Sequence, residues 1–237
     1  SYRMLLAGSL FSATALGVQE VFGTYMYTYF WEFRSEQLGT LALLAIIPVL
    51  GGVALARPVS GRLDKRRAAM GLATFAILFG PLAVVLRLFD VLPENGTMAL
   101  FVLVALHGGL IVVAAIQIGI LFSSMIMDSV DESELATGLR QEGIFVSAIA
   151  FTNKAVSGLG NFVGGFLLDA IGFPRGAAQA AVGAVPDETV MMLGLLQGPG
   201  MMIFYLGSLV FLARYTISRE RYRDILHQLD LRRRAGG

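Results

Sequence analysis

Six apolar runs, at about residues 4–31, 38–56, 68–89, 97–127, 143–168 and 189–213, follow one another with only short polar connectors between them. Each is long enough to cross a hydrocarbon core of about 30 Å as a helix, which needs roughly 20 residues at ~1.5 Å per residue. Inside a bilayer the backbone must satisfy its own hydrogen bonds, so runs of this length are confined to helices. Charged residues make up 15% of the chain, against about 25% for a soluble domain. The expected class is therefore an all-α membrane protein with six transmembrane helices. The chain has no cysteine, which removes disulfide frameworks and thiolate metal sites from consideration.

The connectors are FRSE, the basic RPVSGRLDKRR, DVLPEN, the acidic DSVDESELATGLRQE, a Gly/Ala/Pro stretch at 170–188 and an arginine-rich tail at 214–237. None is long enough for a second domain, so residues 1–237 read as one transmembrane unit with a tail. Arg3, Arg57, Arg62, Lys65, Arg66, Arg67, Arg140, Arg214, Arg219, Arg221, Arg223, Arg232, Arg233 and Arg234 fall on one side, and Arg34, Arg87 and Arg175 on the other. The positive-inside rule then places both termini in the cytoplasm and the loop around Gly176 outside. The tail alternates apolar and charged positions in a helical way, as a surface helix near anionic headgroups or a solvated tail would. The opening SYRMLLAG lacks an initiator methionine and a cleavage site, and reads as the start of a fragment.

Polar residues are unevenly shared among the spans. The first carries Gln19 and Glu20, the fourth His107 and Gln117, and the fifth Asn153, Lys154 and Asn161. The third is almost wholly apolar and is expected to face lipid. Lys154 lies about a dozen residues into its helix, roughly 17 Å deep. A lysine at that depth costs about 2.5–3.5 kcal/mol unless a polar cavity or an anion receives it. The helical period lines up Ser147, Phe151, Lys154, Gly158, Asn161 and Gly165, a polar and small stripe suited to a cavity wall. Gly160 and Gly164 beside it form a GxxxG for close helix packing.

Glu20 reads either as a structural partner of Lys154 or as a proton carrier. His107 reads first as a helix-to-helix hydrogen bonder. Tyr25, Tyr27, Tyr29, Phe30 and Trp31 read as an interfacial aromatic belt, or as rings stacking on a substrate. Gln197-Gly198-Pro199-Gly200 is expected to kink the sixth span. Asp128, Asp131, Glu132, Glu134 and Glu142 either solvate a loop and cap the next helix, or form a cytoplasmic gate.

The run MDSVDESELATGLRQEGIFVSAIAFTNK, with D-x-V-D-x-x-E, T-G-x-R-x-E-G and a lysine 14 residues after the arginine, resembles glycoside-pentoside-hexuronide:cation symporters. These are the melibiose-permease branch of the major facilitator superfamily. TYMYTYFWEF resembles the tyrosine-rich end of the family's seventh helix, and GRLDKRR its shortened facilitator loop, with Gly61 and Asp64 one residue closer than in G-x-x-x-D. The resemblance covers the chain as a carboxyl-terminal six-helix half.

It implies a cation-coupled symporter of sugars or glycosides working by alternating access, in a bacterial inner membrane. The implied partners are a small-molecule substrate, a coupling cation (Na+ or H+), the bilayer and an amino-terminal half, with no nucleic acid and no further cofactor. Lys154, Glu20, Asn161, Phe151, Gln117 and Tyr25 are the expected substrate and cation residues. Asp128, Asp131, Glu134, Arg140, Glu142, Asp64 and Arg66 are the expected cytoplasmic gate. Ile149, Ala150 and Phe151 occupy the turn before the lysine, where sugar carriers bear polar side chains, so an amphiphile such as a lysolipid is the alternative cargo. A self-contained six-helix homodimeric carrier or channel is the alternative of another class. An intramembrane enzyme is disfavoured, since no nucleophile, base or metal constellation converges at one depth.

Overall fold

The computed structural model describes residues 1–62, 64–174 and 183–235, with 57–62 and 235 described in backbone only. The side chains of Arg57 and Arg62, the surroundings of Gly61, and Arg175 with Gly176 altogether, lie outside what is described. The elements are α1 (Tyr2–Tyr25) running into a π-helical turn (Met26–Phe30), then α2 (Ser35–Leu44) and α3 (Ile46–Arg62). They continue with α4 (Lys65–Phe79), α5 (Leu82–Leu88), α6 (Met98–Thr137), α7 (Glu142–Ala170), α8 (Asp187–Gln197), a 3-10 turn (Pro199–Met201), α9 (Met202–Leu212) and α10 (Arg219–Ala235).

Among the described residues, five helical stretches are long and apolar enough to cross a membrane: Tyr2–Phe30, Ser35–Ala56, Lys65–Leu88, Met98–Thr137 and Asp187–Leu212. They coincide with five of the six runs. The remaining run is α7, whose 29 residues suffice in length but whose Asn153, Lys154, Ser157 and Asn161 dilute its apolar character.

Several spans are broken where the sequence supplies the cause. Proline at 81 interrupts α4 from α5, and His107 of α6 donates to the Phe79 carbonyl beside the break (2.8 Å). The expected kink at Gly198-Pro199 is present as the 3-10 turn between α8 and α9. In α6, Thr97 caps the start by accepting from the Leu100 N–H (3.3 Å). That helix runs 40 residues, about 60 Å, so it projects beyond a bilayer core. The acidic stretch is therefore not the loop expected from its charge, since residues 128–137 continue the helix. Nothing in them breaks helical geometry until Gly138, which takes the left-handed conformation at φ 75°.

Apolar side chains form one cluster at each end of the bundle. At the end carrying α10, Leu5, Ala69, Leu121, Met125, Tyr215, Ile225 and Leu229 pack together. At the far end Phe22, Tyr29, Phe30, Trp31, Leu100, Phe173 and Leu193 do so. Most of the expected aromatic belt is thus core: Tyr29, Phe30 and Trp31 are buried, and Tyr27 is the exposed ring. The π turn adds a residue to the helical repeat and rotates these rings inward. The third span is not the one most open to lipid. It lies between α6 and α9 with Ala68, Ala69 and Ile77 buried, whereas the second span is only 6% buried. Apolar character alone does not separate lipid from protein neighbours, because a packed helix face is as apolar as a lipid-facing one.

The closest helix pair is α1 with α7. A Cβ on Gly17 would lie 2.2 Å from the Ser157 carbonyl oxygen, and one on Gly160 would lie 2.5 Å from that of Thr14. A Cβ on Gly164 would lie 3.0 Å from the Val21 Cβ, a looser contact with a side chain, and with Gly160 it makes the GxxxG serve close approach as its spacing predicts. Gly17→Ala is expected to destabilise the bundle by about 1–3 kcal/mol through forced separation of the two backbones. Gly158→Ala, which meets nothing within 4 Å, is expected to be neutral. Thermal unfolding in detergent distinguishes them.

Candidate functional site: the open face of α7 and the charged network beneath α10

The face of α7 that meets α1 buries Ile149, Gly160, Gly164 and Leu168. The opposite face is uncovered, and it carries the sequence-derived stripe. Ser147, Phe151, Lys154, Gly158 and Gly165 are exposed and Asn161 is half-buried. Lys154 makes no ion pair with any described residue. Phe151, Phe162 and Phe166 are 75%, 76% and 66% exposed on this helix.

Glu20 approaches Asn161 rather than Lys154: the Asn161 amide donates to Glu20 Oε2 (3.4 Å), while Asn161 Oδ1 is buried without a partner. Asn161 also lines a groove of about 680 Å³ with Val21, Tyr25, Phe162, Phe166 and Phe173. Tyr25 stands edge-on to Phe173, with ring centroids 4.9 Å apart. Five of the six expected binding residues, Lys154, Glu20, Asn161, Phe151 and Tyr25, therefore lie on α7 or on the helix packed against it. Gln117 lies apart. It is buried between α6 and α3, with its amide donating to the Gly52 carbonyl. A polar residue inside a span reads the same whether it faces a cavity or bonds a neighbouring helix.

The expected gate residues gather at the end carrying α10, where they pair within the chain. Asp128 is buried and accepts from Lys65 at 2.7 and 2.9 Å, and Lys65 also lies 4.7 Å from the Tyr222 ring centre. Arg140 reaches three carboxylates: Asp131 at 3.1 Å, Glu134 at 3.0 Å and Glu142 at 3.2 Å. Arg233 of α10 pairs with Glu134 at 2.9 Å, and the Tyr222 hydroxyl donates to Asp131 at 2.9 Å. Burial, and then that bond to a carboxylate, push the Tyr222 phenol above its ordinary pKa and keep it a donor.

Asp64 caps two helices at once, accepting from Arg67 N–H at the start of α4 and from Arg219 N–H at the start of α10, both at 3.1 Å. Arg66 donates to the Ala213 carbonyl after α9. Sequence reasoning missed Lys65, Tyr222 and Arg233 as members of this network. For Tyr222 and Arg233 the signal was the amphipathic period of the tail, which buries Ile225 and Leu229 against the chain's own helices.

A bundle of bilayer-length helices with one polar helix face exposed defines an integral membrane protein. The sequence pattern described as MFS/sugar transport protein matches residues 1–219, and the chain belongs to that family. It is 33% identical over 141 residues to the uncharacterized symporter sll1374 of Synechocystis sp., covering 60% of this chain and 25% of that protein. It is 25% identical to the uncharacterized symporter YnaJ of Bacillus subtilis over 97% of this chain and 47% of that protein. The chain thus matches about half the length of YnaJ and about a quarter of sll1374.

Lys65→Met is expected to cost about 2 kcal/mol, because it leaves the Asp128 carboxylate buried without its cation. The double change Lys65→Met with Asp128→Asn is expected to recover most of that loss. Unfolding of the three variants in detergent provides the measurement.

Proposed function

We propose that the chain is one wall of a cation-coupled symporter for a small organic solute, a sugar or glycoside. A second helical half covers the α7 face and the two rock about a substrate near the midplane. The observation that carries this reading is the uncovered stripe on α7 with Lys154 at its centre and no anionic partner. A lysine at membrane depth is costly unless it meets a solute, an ion or a water-filled cavity. In this reading α7 also crosses the membrane, as the fifth of six spans, both termini face the cytoplasm, and the membrane is the bacterial inner membrane.

Lys154 acts at the substrate and cation site. Glu20, Asn161, Tyr25 and Phe151 act around it, with Na+ or H+ as coupling ion. In the charged network, Arg140 and Glu142 are 48% and 50% exposed and are the members available to an opposing half. Asp128, Asp64 and Arg66, occupied within the chain, hold the helix ends in place. The exposed Phe151, Phe162 and Phe166 favour a second reading in which the cargo is an amphiphile, because rings along the wall receive an acyl chain better than hydroxyl groups.

In the full-length protein, Lys154→Ala is expected to abolish coupled uptake without loss of insertion, since removing a charge at this depth relieves an insertion penalty. Lys154→Arg is expected to rescue poorly, because a guanidinium is planar and larger. Wild-type uptake and ion dependence in Lys154→Ala end the assignment. These 237 residues hold no cysteine, so single substitutions within them allow a topological check. A cysteine at Gln228 is expected to resist an impermeant thiol reagent applied to intact cells, and labelling there reverses the orientation.

A further inference from the structure

We infer that, in the symporter proposed above, Tyr222 and Arg233 of α10 are positioning residues that set how firmly this chain grips Arg140. Each works through a carboxylate that it shares with that arginine. Asp131 accepts from the Tyr222 hydroxyl on Oδ2 (2.9 Å) and from Arg140 Nη1 on Oδ1 (3.1 Å). Glu134 accepts from Arg233 Nη2 on Oε1 (2.9 Å) and from the same Arg140 nitrogen on Oε2 (3.0 Å). Arg140 Nη2 turns to Glu142 Oε2, in the first turn of α7 (3.2 Å). The guanidinium thus holds three acids by one bond each.

A carboxylate and a guanidinium favour a fork of two parallel bonds, which is stronger and geometrically stricter than a single bond. With α10 docked, a donor already occupies the second oxygen of Asp131 and of Glu134, so Arg140 has no fork to close with either. Both acidic side chains are largely shielded, at 12% and 14% exposure, so water replaces the α10 donors poorly once they are gone. Their removal leaves Arg140 to take both oxygens of one carboxylate. Residues 138–141 form the non-helical link between α6 and α7, and the Arg140 side chain is 48% exposed. On single bonds, it can exchange one of them for an acid of the opposing half; forked, it is retained by its own chain. The seat of α10 does not depend on these bonds alone: Ile225 and Leu229 are buried, Arg232 donates to the Leu135 carbonyl, and Asp64 accepts from the Arg219 N–H. Lys65 holds the Tyr222 ring in place, with its ammonium 4.7 Å from the ring centre. The consequence for the opposing half rests on the symporter reading, whereas the grip on Arg140 does not.

The test compares the full-length protein with its Tyr222→Phe/Arg233→Met variant, which removes both donors and keeps the ring and the apolar anchors. In detergent, modification of Arg140 by phenylglyoxal, read by peptide mass spectrometry, is expected to slow by about 3–10-fold in the variant, because a forked guanidinium is less free to react. A merely structural role for α10 gives the opposite sign, since a loosened end exposes Arg140. The second readout is alkylation by N-ethylmaleimide of a cysteine on the exposed face of α7, Ser147→Cys, in a cysteine-free full-length background in membrane vesicles. Loss of the bond between the halves is expected to open that face and raise labelling on the order of 10-fold in the variant. In an Arg140→Gln background the same double change is expected to move labelling less than about twofold. Tyr222→Phe/Arg233→Lys, which restores a donor to Glu134, is expected to recover part of both effects. Arg234→Gln, whose partner Asp230 lies within α10, is expected to change neither. Unchanged or faster modification of Arg140 overturns the grip. Slower modification with unchanged labelling at 147, or an equal further rise in the Arg140→Gln background, overturns its consequence for the opposing half. Full labelling already in the wild type overturns the covering half proposed above, while the phenylglyoxal result still decides the grip.

Discussion

The backbone contact between α1 and α7 sets what the rest of the chain can present. Helices in a bilayer gain nothing from hiding apolar surface from lipid, so they associate by close packing and by hydrogen bonds. Gly17, Gly160 and Gly164 supply the packing by removing the side chains that would hold the helices apart. Since glycine contact fixes one face of α7 against α1, the polar positions a half-turn away face outward together. The charged stripe is open because the small-residue stripe is closed.

A different economy governs the end carrying α10. There water is present and exposed ion pairs are individually weak, typically below about 1 kcal/mol. The chain combines a buried pair, Lys65 with Asp128, with two apolar anchors from α10, Ile225 and Leu229. The guanidinium of Arg140 then gathers carboxylates from the projecting end of α6 and the first turn of α7. The tail is thereby part of the bundle rather than an appendage to it.

Much of this was legible in the residues because period and length are local properties. The α7 stripe, the GxxxG contact and the Gly198-Pro199 kink all follow from spacing or from proline chemistry. What was hidden depends on partners distant in sequence. Gln117 reads like any polar residue within a span until the Gly52 carbonyl is found beside it. The rings at 29–31 read as a belt because a π turn leaves no mark in the hydropathy pattern. The acidic stretch suggested a loop by its charge, although none of its residues breaks a helix before Gly138.

One carboxylate, Asp64, serves the first turns of two helices, and the farther of its donors, Arg219, lies 155 positions from it in the chain. During synthesis α4 is completed long before α10 exists, so for most of that time Asp64 has only one of its two tasks. The tail helix finds its cap, its apolar seat and its counter-charges only after α4, α6 and α9 have come together. Its seat is thus built by residues from helices far apart in the chain, and it has no binding place until they are together.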